Sequence, residues 1–196
     1  KAQQKVDIEG LTNVELQEGD ATAVHFTDNS FDVVICASGI YCLPDPLCGL
    51  REWYRVAKPN GRVAFSSWAK TDDKSSGLFL KCLQRYIPSF PTDNSSANEA
   101  LKWVANAQKC DQLLQEVGFE DIEVSVEQLG YYQKTLSESW DNIWNTGLRI
   151  PLLQLEPQKL EQFRAEYLAE VEALATEQGI WVDRLAIFAR ARKPTG

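Results

Sequence analysis

The sequence predicts an α/β fold on a parallel sheet, and three observations between Val14 and Trp68 predict it. Phe31 to Ala37 (FDVVICA) is a nearly unbroken apolar run, the pattern of a strand buried on both faces of a parallel sheet. Asp45-Pro46 opens a helical stretch, with an acidic capping residue before a proline whose missing N–H is not needed at the first helical position. A second strand-like run, Arg62 to Ser67, follows the turn Lys58-Pro59-Asn60-Gly61. Strand, helix, strand in that order implies a right-handed crossover and parallel pairing.

The other elements follow along the chain. Val14-Glu15-Leu16 is expected to be a short strand ending at Gly19-Asp20, and Leu47, Leu50, Trp53 and Tyr54 form the inner stripe of the helix after Pro46. Ser75-Ser76 caps a helix reaching Tyr86, with Leu78, Phe79, Cys82, Leu83 and Tyr86 on one side. The polar stretch 88–98, rich in Pro, Ser and Asn, is the best candidate for a lid. A helix from about Ala107 stops at Gly118, a typical left-handed cap, and Ile122, Val124 and Val126 alternate as in a half-exposed strand. A short helix covers Ser139 to Trp144. Pro157 starts a long amphipathic helix (Leu160, Phe163, Tyr167, Val171, Leu174) that Gly179 is expected to end, and Leu185 to Ala191 is the last strand.

A chain of 196 residues, 44% hydrophobic and 24% charged, fits one globular domain, 1–196. The net charge of −8 and the scattered bases speak against a nucleic-acid partner. No apolar run is long enough to span a bilayer and no secretion leader is visible, so a cytoplasmic protein is expected. The five cysteines lack metal-site spacing and read as free thiols. His25 is the sole histidine, so His-based triads and His-rich metal sites lack parts, and no metal is expected. Trp68, Phe79, Tyr86, Trp103, Trp140 and Trp144 fit either an acceptor pocket or ordinary core packing. The complete absence of Met suggests that the natural N-terminus lies upstream of Lys1.

Four pieces in register carry a resemblance: Gly19-Asp20-Ala21, Phe31-Asp32-Val33-Val34, Pro44-Asp45-Pro46, and Arg55-Val56-x-Lys58-Pro59-x-Gly61-Arg62. Together they resemble a class I, Rossmann-like S-adenosylmethionine-dependent methyltransferase. They are most similar to the small-molecule branch that includes the ubiquinone and menaquinone biosynthesis enzymes (methyltransferase type 11). Asn60 stands where that family usually has Gly, and Ala57 where it usually has Leu.

The resemblance implies S-adenosylmethionine as cofactor and methyl transfer to a small-molecule acceptor, with segments 70–106 and 129–182 as the variable substrate region. It implies that Asp20 accepts the adenine amino group and that the Ala21 backbone meets a ring nitrogen. Ala37, Ser38 and Tyr41 would follow the strand beside the reactive methyl, Tyr41 packing on the sulfonium or the acceptor. The plainer alternatives are that Asp20 caps a turn and that Tyr41 covers the core edge. No catalytic base is identified.

Nothing before Val14 matches the family's first strand, glycine-rich turn or ribose-binding acid. The expectation is an incomplete sheet, with a gap of roughly 10 Å between the Val14 and Phe31 strands. On that reading the chain alone binds the cofactor weakly, and a second copy completing the sheet is a candidate partner. The rival function is a non-catalytic, degenerate domain serving as a binding partner or scaffold. A nicotinamide-dependent oxidoreductase would need a Gly-x-Gly-x-x-Gly turn, which this sequence lacks.

Overall fold

The computed structural model describes residues 1–71, 74–90 and 99–195. In chain order its elements are α1 (Ala2–Glu9), β1 (Phe31–Cys36), a 3-10 turn (Ile40–Cys42), α2 (Pro46–Val56), β2 (Ala57–Trp68), α3 (Lys74–Tyr86), α4 (Glu99–Val104), α5 (Ala107–Val117), β3 (Glu120–Gln128), β4 (Tyr131–Gln133), α6 (Leu136–Trp144), α7 (Arg149–Leu152), α8 (Pro157–Glu172), β5 (Ile180–Val182) and β6 (Leu185–Arg192). The main sheet has the order β1-β2-β6-β3, with β1 and β2 parallel and β6 antiparallel to both β2 and β3. This is an α/β architecture on a mixed sheet. The parallel pair is the one that strand–helix–strand order predicts.

The β1–α2–β2 unit forms for local reasons. Asp45 caps α2 as expected, its Oδ1 accepting from the Leu47 N–H at 2.8 Å and the Cys48 N–H at 3.4 Å, with Pro46 in the first turn. The Lys58–Gly61 turn is absorbed into β2 as a bulge. Register passes from Phe31↔Ala57 to Val33↔Arg62, so two steps on β1 face five on β2. Asn60 supplies the positive φ of 61°, and a Cβ at Gly61 would lie 2.7 Å from the Lys58 carbonyl oxygen.

Replacing Asp45 with Ala should cost about 1 kcal/mol. The Cys48 thiol, followed by the Leu47 N–H, holds the Asp45 carboxyl below its ordinary range. A depressed folded value means that this contribution is present above the unfolded value, near 3.8, and is lost as pH falls through the lower folded one. Acid titration of stability should therefore flatten in Asp45→Asn relative to wild type, as followed by circular dichroism.

Two cores result. On one face of the sheet α2, α4 and α5 pack over Val63, Phe65, Ile187, Ala189 and Ala191, with Ile40, Leu50, Trp53 and Leu114 among the buried side chains. The second core joins α3, α6, α7 and α8 around Phe79, Leu83, Trp140, Ile143, Leu152 and Phe163. The β4–β5 ribbon leads into it from the ends of β3 and β6. Gln128↔Leu185 and Trp68↔Ala186 put those ends at the carboxyl rim of β1 and β2. The opposite face of the main sheet is uncovered among the described residues: Val33 is 53% exposed, Ile35 70% and Phe188 40%.

Several expectations are corrected, beginning with β1, which is not buried on both faces, since Val33 and Ile35 are exposed. Val14–Leu16 is not a strand; the segment after α1 is exposed and irregular. The predicted gap inside the sheet is therefore replaced by an open edge along β1. The long helix ends at Glu172, not at Gly179, which instead closes a Thr176–Gly179 turn before β5. Helix α3 begins at Lys74, so Ser75 and Ser76 lie within its first turn. Of the proposed lid at 88–98, residues 91–98 lie outside the described residues.

Candidate functional site

The carboxyl rim of the parallel pair gathers the loop that leaves β1. Ala37 begins the turn after the strand, and Ser38 adopts a left-handed φ of 52°, uncommon for a residue with a Cβ. A hydrogen bond from its backbone N–H to Ser66 Oγ on β2, at 2.9 Å, fixes that conformation, and the two hydroxyls are 3.3 Å apart. The chain then drops Ile40 into the core, fully buried, within the 3-10 turn. Tyr41 returns to the rim, where its hydroxyl accepts from Trp68 Nε1 at 3.2 Å. Helix α4 packs against this turn.

Asp20 and Ala21 reach the fold by a different route. The Ala21 carbonyl accepts from the Trp53 indole N–H at 3.0 Å, and the Trp53 ring lies back along α2 toward Gly49. The Asp20 Oδ1 accepts from the Thr22 N–H (2.8 Å) and hydroxyl (2.7 Å). The backbone bond, then the hydroxyl, hold its carboxyl below the ordinary range. The turn-capping role is thus present. Both bonds go to one oxygen, leaving Oδ2 with no protein donor among the described residues.

Residues 24–28 are strapped to α2 by Arg55. Its guanidinium donates to the carbonyls of Val24 (3.2 Å) and Phe26 (2.8 Å) and pairs with Asp28 (2.7 Å) and Glu52 (2.6 Å). The expected site residues therefore form two groups. Ala37, Ser38 and Tyr41 share one loop at the rim, and Asp20 and Ala21 are held on α2.

The chemistry open to this rim is binding and orientation. Burial pushes the Cys36 thiol up, and the Asp45 carboxylate raises that of Cys48, so neither is a ready thiolate. Between Ala37 and Cys42 there is neither a carboxylate nor a histidine to take a proton. Sequence reading missed Ser66 and Trp68 as partners of the loop. The available signal was their alternation on β2, which puts both on the face opposite Phe65 and Ser67. Trp140 and Phe79 turn out to be core residues of the helical unit, whereas Trp68 stands at the rim and is 39% exposed.

Residues 1–65 match the family described as a methyltransferase domain. A demethylmenaquinone methyltransferase of Staphylococcus epidermidis is 31% identical over 146 residues, covering 65% of this chain and 59% of its own length. The chain thus spans about three-fifths of the curated relatives it matches. Among solved structures, the YcgJ protein of Bacillus subtilis superposes with a TM-score of 0.60 at 20% identity, covering 100% of this chain and 77% of that one. Phosphoethanolamine N-methyltransferase 2 of Haemonchus contortus, solved with S-adenosylhomocysteine, gives a TM-score of 0.52 at 20% identity over 98% of this chain and 40% of its own. The chain is thus similar in sequence, over about two-thirds of its length, to demethylmenaquinone methyltransferases; its first third matches a methyltransferase domain, and its fold is shared with the solved structures over nearly its whole length.

Proposed function

We propose that the protein transfers a methyl group from S-adenosylmethionine to a small-molecule acceptor. The observation that carries this reading is the Ala37–Tyr41 loop, held at the carboxyl rim of the parallel strands inside the stretch that matches the methyltransferase domain. Ligands of open α/β sheets bind at that rim. Asp20 Oδ2 and the Ala21 backbone would receive the adenine end, and Ala37, Ser38 and Tyr41 the methyl end. The Tyr41 ring offers a π face to the sulfonium.

When bound, the cofactor supplies an electrophilic methyl on sulfur. This chain's part is to orient it, by proximity rather than by a named base. The demethylmenaquinone relatives favour a small organic acceptor. No described helix is long and apolar enough to cross a membrane, in keeping with a cytoplasmic setting. The uncovered sheet face and open β1 edge favour the second reading, a domain that binds a partner, including a second copy aligned along β1.

Calorimetric titration with S-adenosylhomocysteine separates the two readings. Losing one charge-assisted acceptor should weaken binding about tenfold or more in Asp20→Ala, with the melting temperature unchanged. Equal affinity in Asp20→Ala would remove the adenine assignment. Because this chain alone is expected to bind weakly, the titration is repeated on the full-length protein, where binding by neither wild type nor Asp20→Ala would leave the partner-binding domain as the function.

A further inference from the structure

We infer that Ser66 is a positioning residue for the cofactor loop: its hydroxyl sets the left-handed conformation of Ser38 and so the placement of Ala37–Tyr41. The inference rests on the methyltransferase reading above. Ser38 departs from the backbone conformations open to most L residues, and such a conformation persists only where neighbours impose it.

Three contacts impose it here. Ser66 Oγ accepts the Ser38 N–H at 2.9 Å and lies 3.3 Å from Ser38 Oγ. Trp68, two residues further along the same face of β2, donates to the Tyr41 hydroxyl at 3.2 Å. Ile40, between the two attachment points, is fully buried on the other side.

Strand alternation makes this arrangement possible. Residues 66 and 68 of β2 project to one face at the spacing that matches residues 38 and 41 of the loop. The register explains the reach: Cys36 pairs with Phe65, which puts Ser66 level with Ala37, one residue short of Ser38, where the chain turns out of the strand. Across β6, Ser66 pairs with Phe188 on the open face. An apolar side chain there has no acceptor to offer Ser38, so the Ser66 hydroxyl is the polar group at this point that receives the N–H.

Without that acceptor, Ser38 is free to relax toward an extended backbone, carrying Gly39 and Tyr41 away from the rim. Ile40 holds the rest of the turn in the core, so the fold survives while the loop changes. Ser66 touches no reacting atom; it acts through Ser38.

The test compares Ser66→Ala with Ser66→Thr, which keeps the acceptor. Hydrogen exchange at the Ser38 amide, followed by NMR, should be at least tenfold faster in Ser66→Ala and within threefold of wild type in Ser66→Thr. Affinity for S-adenosylhomocysteine, measured by calorimetry, should fall about tenfold in Ser66→Ala and be restored in Ser66→Thr, with melting temperatures of all three within a few degrees. Unchanged Ser38 exchange in Ser66→Ala overturns the inference. So does affinity within twofold of wild type, or a Ser66→Thr protein as impaired as Ser66→Ala. If full-length wild type binds no S-adenosylhomocysteine, the methyltransferase reading fails, and the exchange measurement alone decides whether Ser66 sets the loop.

Discussion

Phe163→Ala is expected to destabilise the protein by about 3–5 kcal/mol, the range for truncating a buried phenylalanine. Phe163 is fully buried at the middle of α8 and is the hub of the second core. Its ring meets Phe79 (5.8 Å) and Tyr86 (5.5 Å) edge to face, stacks on Tyr167 (6.1 Å) and lies 6.4 Å from Trp140. Edge-to-face and offset pairs add to the loss of buried area, because each places a positive ring edge against a negative face. The five rings belong to three helices, α3, α6 and α8, so few backbone shifts could close the cavity. Chemical denaturation followed by tryptophan emission checks this, since Trp140 and Trp144 report on the same core. Phe163→Leu, which leaves a smaller void, should lose clearly less. Equal losses in the two variants would mean that ring geometry and cavity size matter little here.

Gly179→Ala is expected to be nearly as severe, at about 3 kcal/mol or more, for a different reason. Gly179 has φ 111°, outside the range that an L side chain accepts, and an added Cβ would lie 2.3 Å from the Gln133 carbonyl oxygen. Backbone strain and overpacking are each of order 1–3 kcal/mol. Neither can be relieved by a rotamer, because the obstructing atom is backbone of β4. The β4–β5 ribbon, with Gln133 paired to Ile180, must part to admit the methyl group. Thermal unfolding of the variant should show the loss, and exchange of the β4 and β5 amides should accelerate more than that of β1 or β2. A variant melting with wild type would show that the Thr176–Gly179 turn has another conformation open to it.

The parts of the fold legible in the sequence are those fixed by short-range chemistry. The Asp45-Pro46 start and the Gly118 cap at φ 98° each depend on a few neighbouring residues, and each is found. The Phe31 run forms a strand but with one face exposed instead of both buried, and the expected Asn60-Gly61 turn lies within β2 as a bulge. The failures depend on distant partners. Val14–Leu16 has a strand's composition, but a strand needs a neighbour to take its N–H and C=O groups, and sequence does not show whether one is in reach. Gly179 was legible as a residue of special φ, yet its use in a turn before β5 depended on the ribbon made with β4. Helix α4 and the β4–β5 ribbon were missed because each is short and its periodic signal covers only a few residues.

The site divides in the same way. Ala37, Ser38 and Tyr41, which the resemblance implies as site residues, lie together on one loop. Ser66 and Trp68, which hold that loop, carry no motif and come from a strand about thirty residues further on. For Asp20 the turn-capping alternative describes its Oδ1 contacts, while the cofactor role remains a proposal resting on Oδ2.

The strand order has a consequence for how the molecule is made. The strand latest in sequence, β6, lies inside the sheet and is the sole strand joining β3 to β2. A ribosome delivers β1, α2 and β2 early, and that parallel pair can form at once. The edge of β2 that will receive β6 then waits unpaired while more than a hundred residues are synthesised. Strand β3 and the helix that packs on it, α5, have no place in the sheet until residues 185–192 emerge. Assembly is thus governed by a late, long-range step of the kind that slows folding and prolongs exposure of a bare strand edge. The helical unit, whose core lies within 74–182, is free to condense meanwhile, before β6 completes the sheet beside the Ala37–Tyr41 loop.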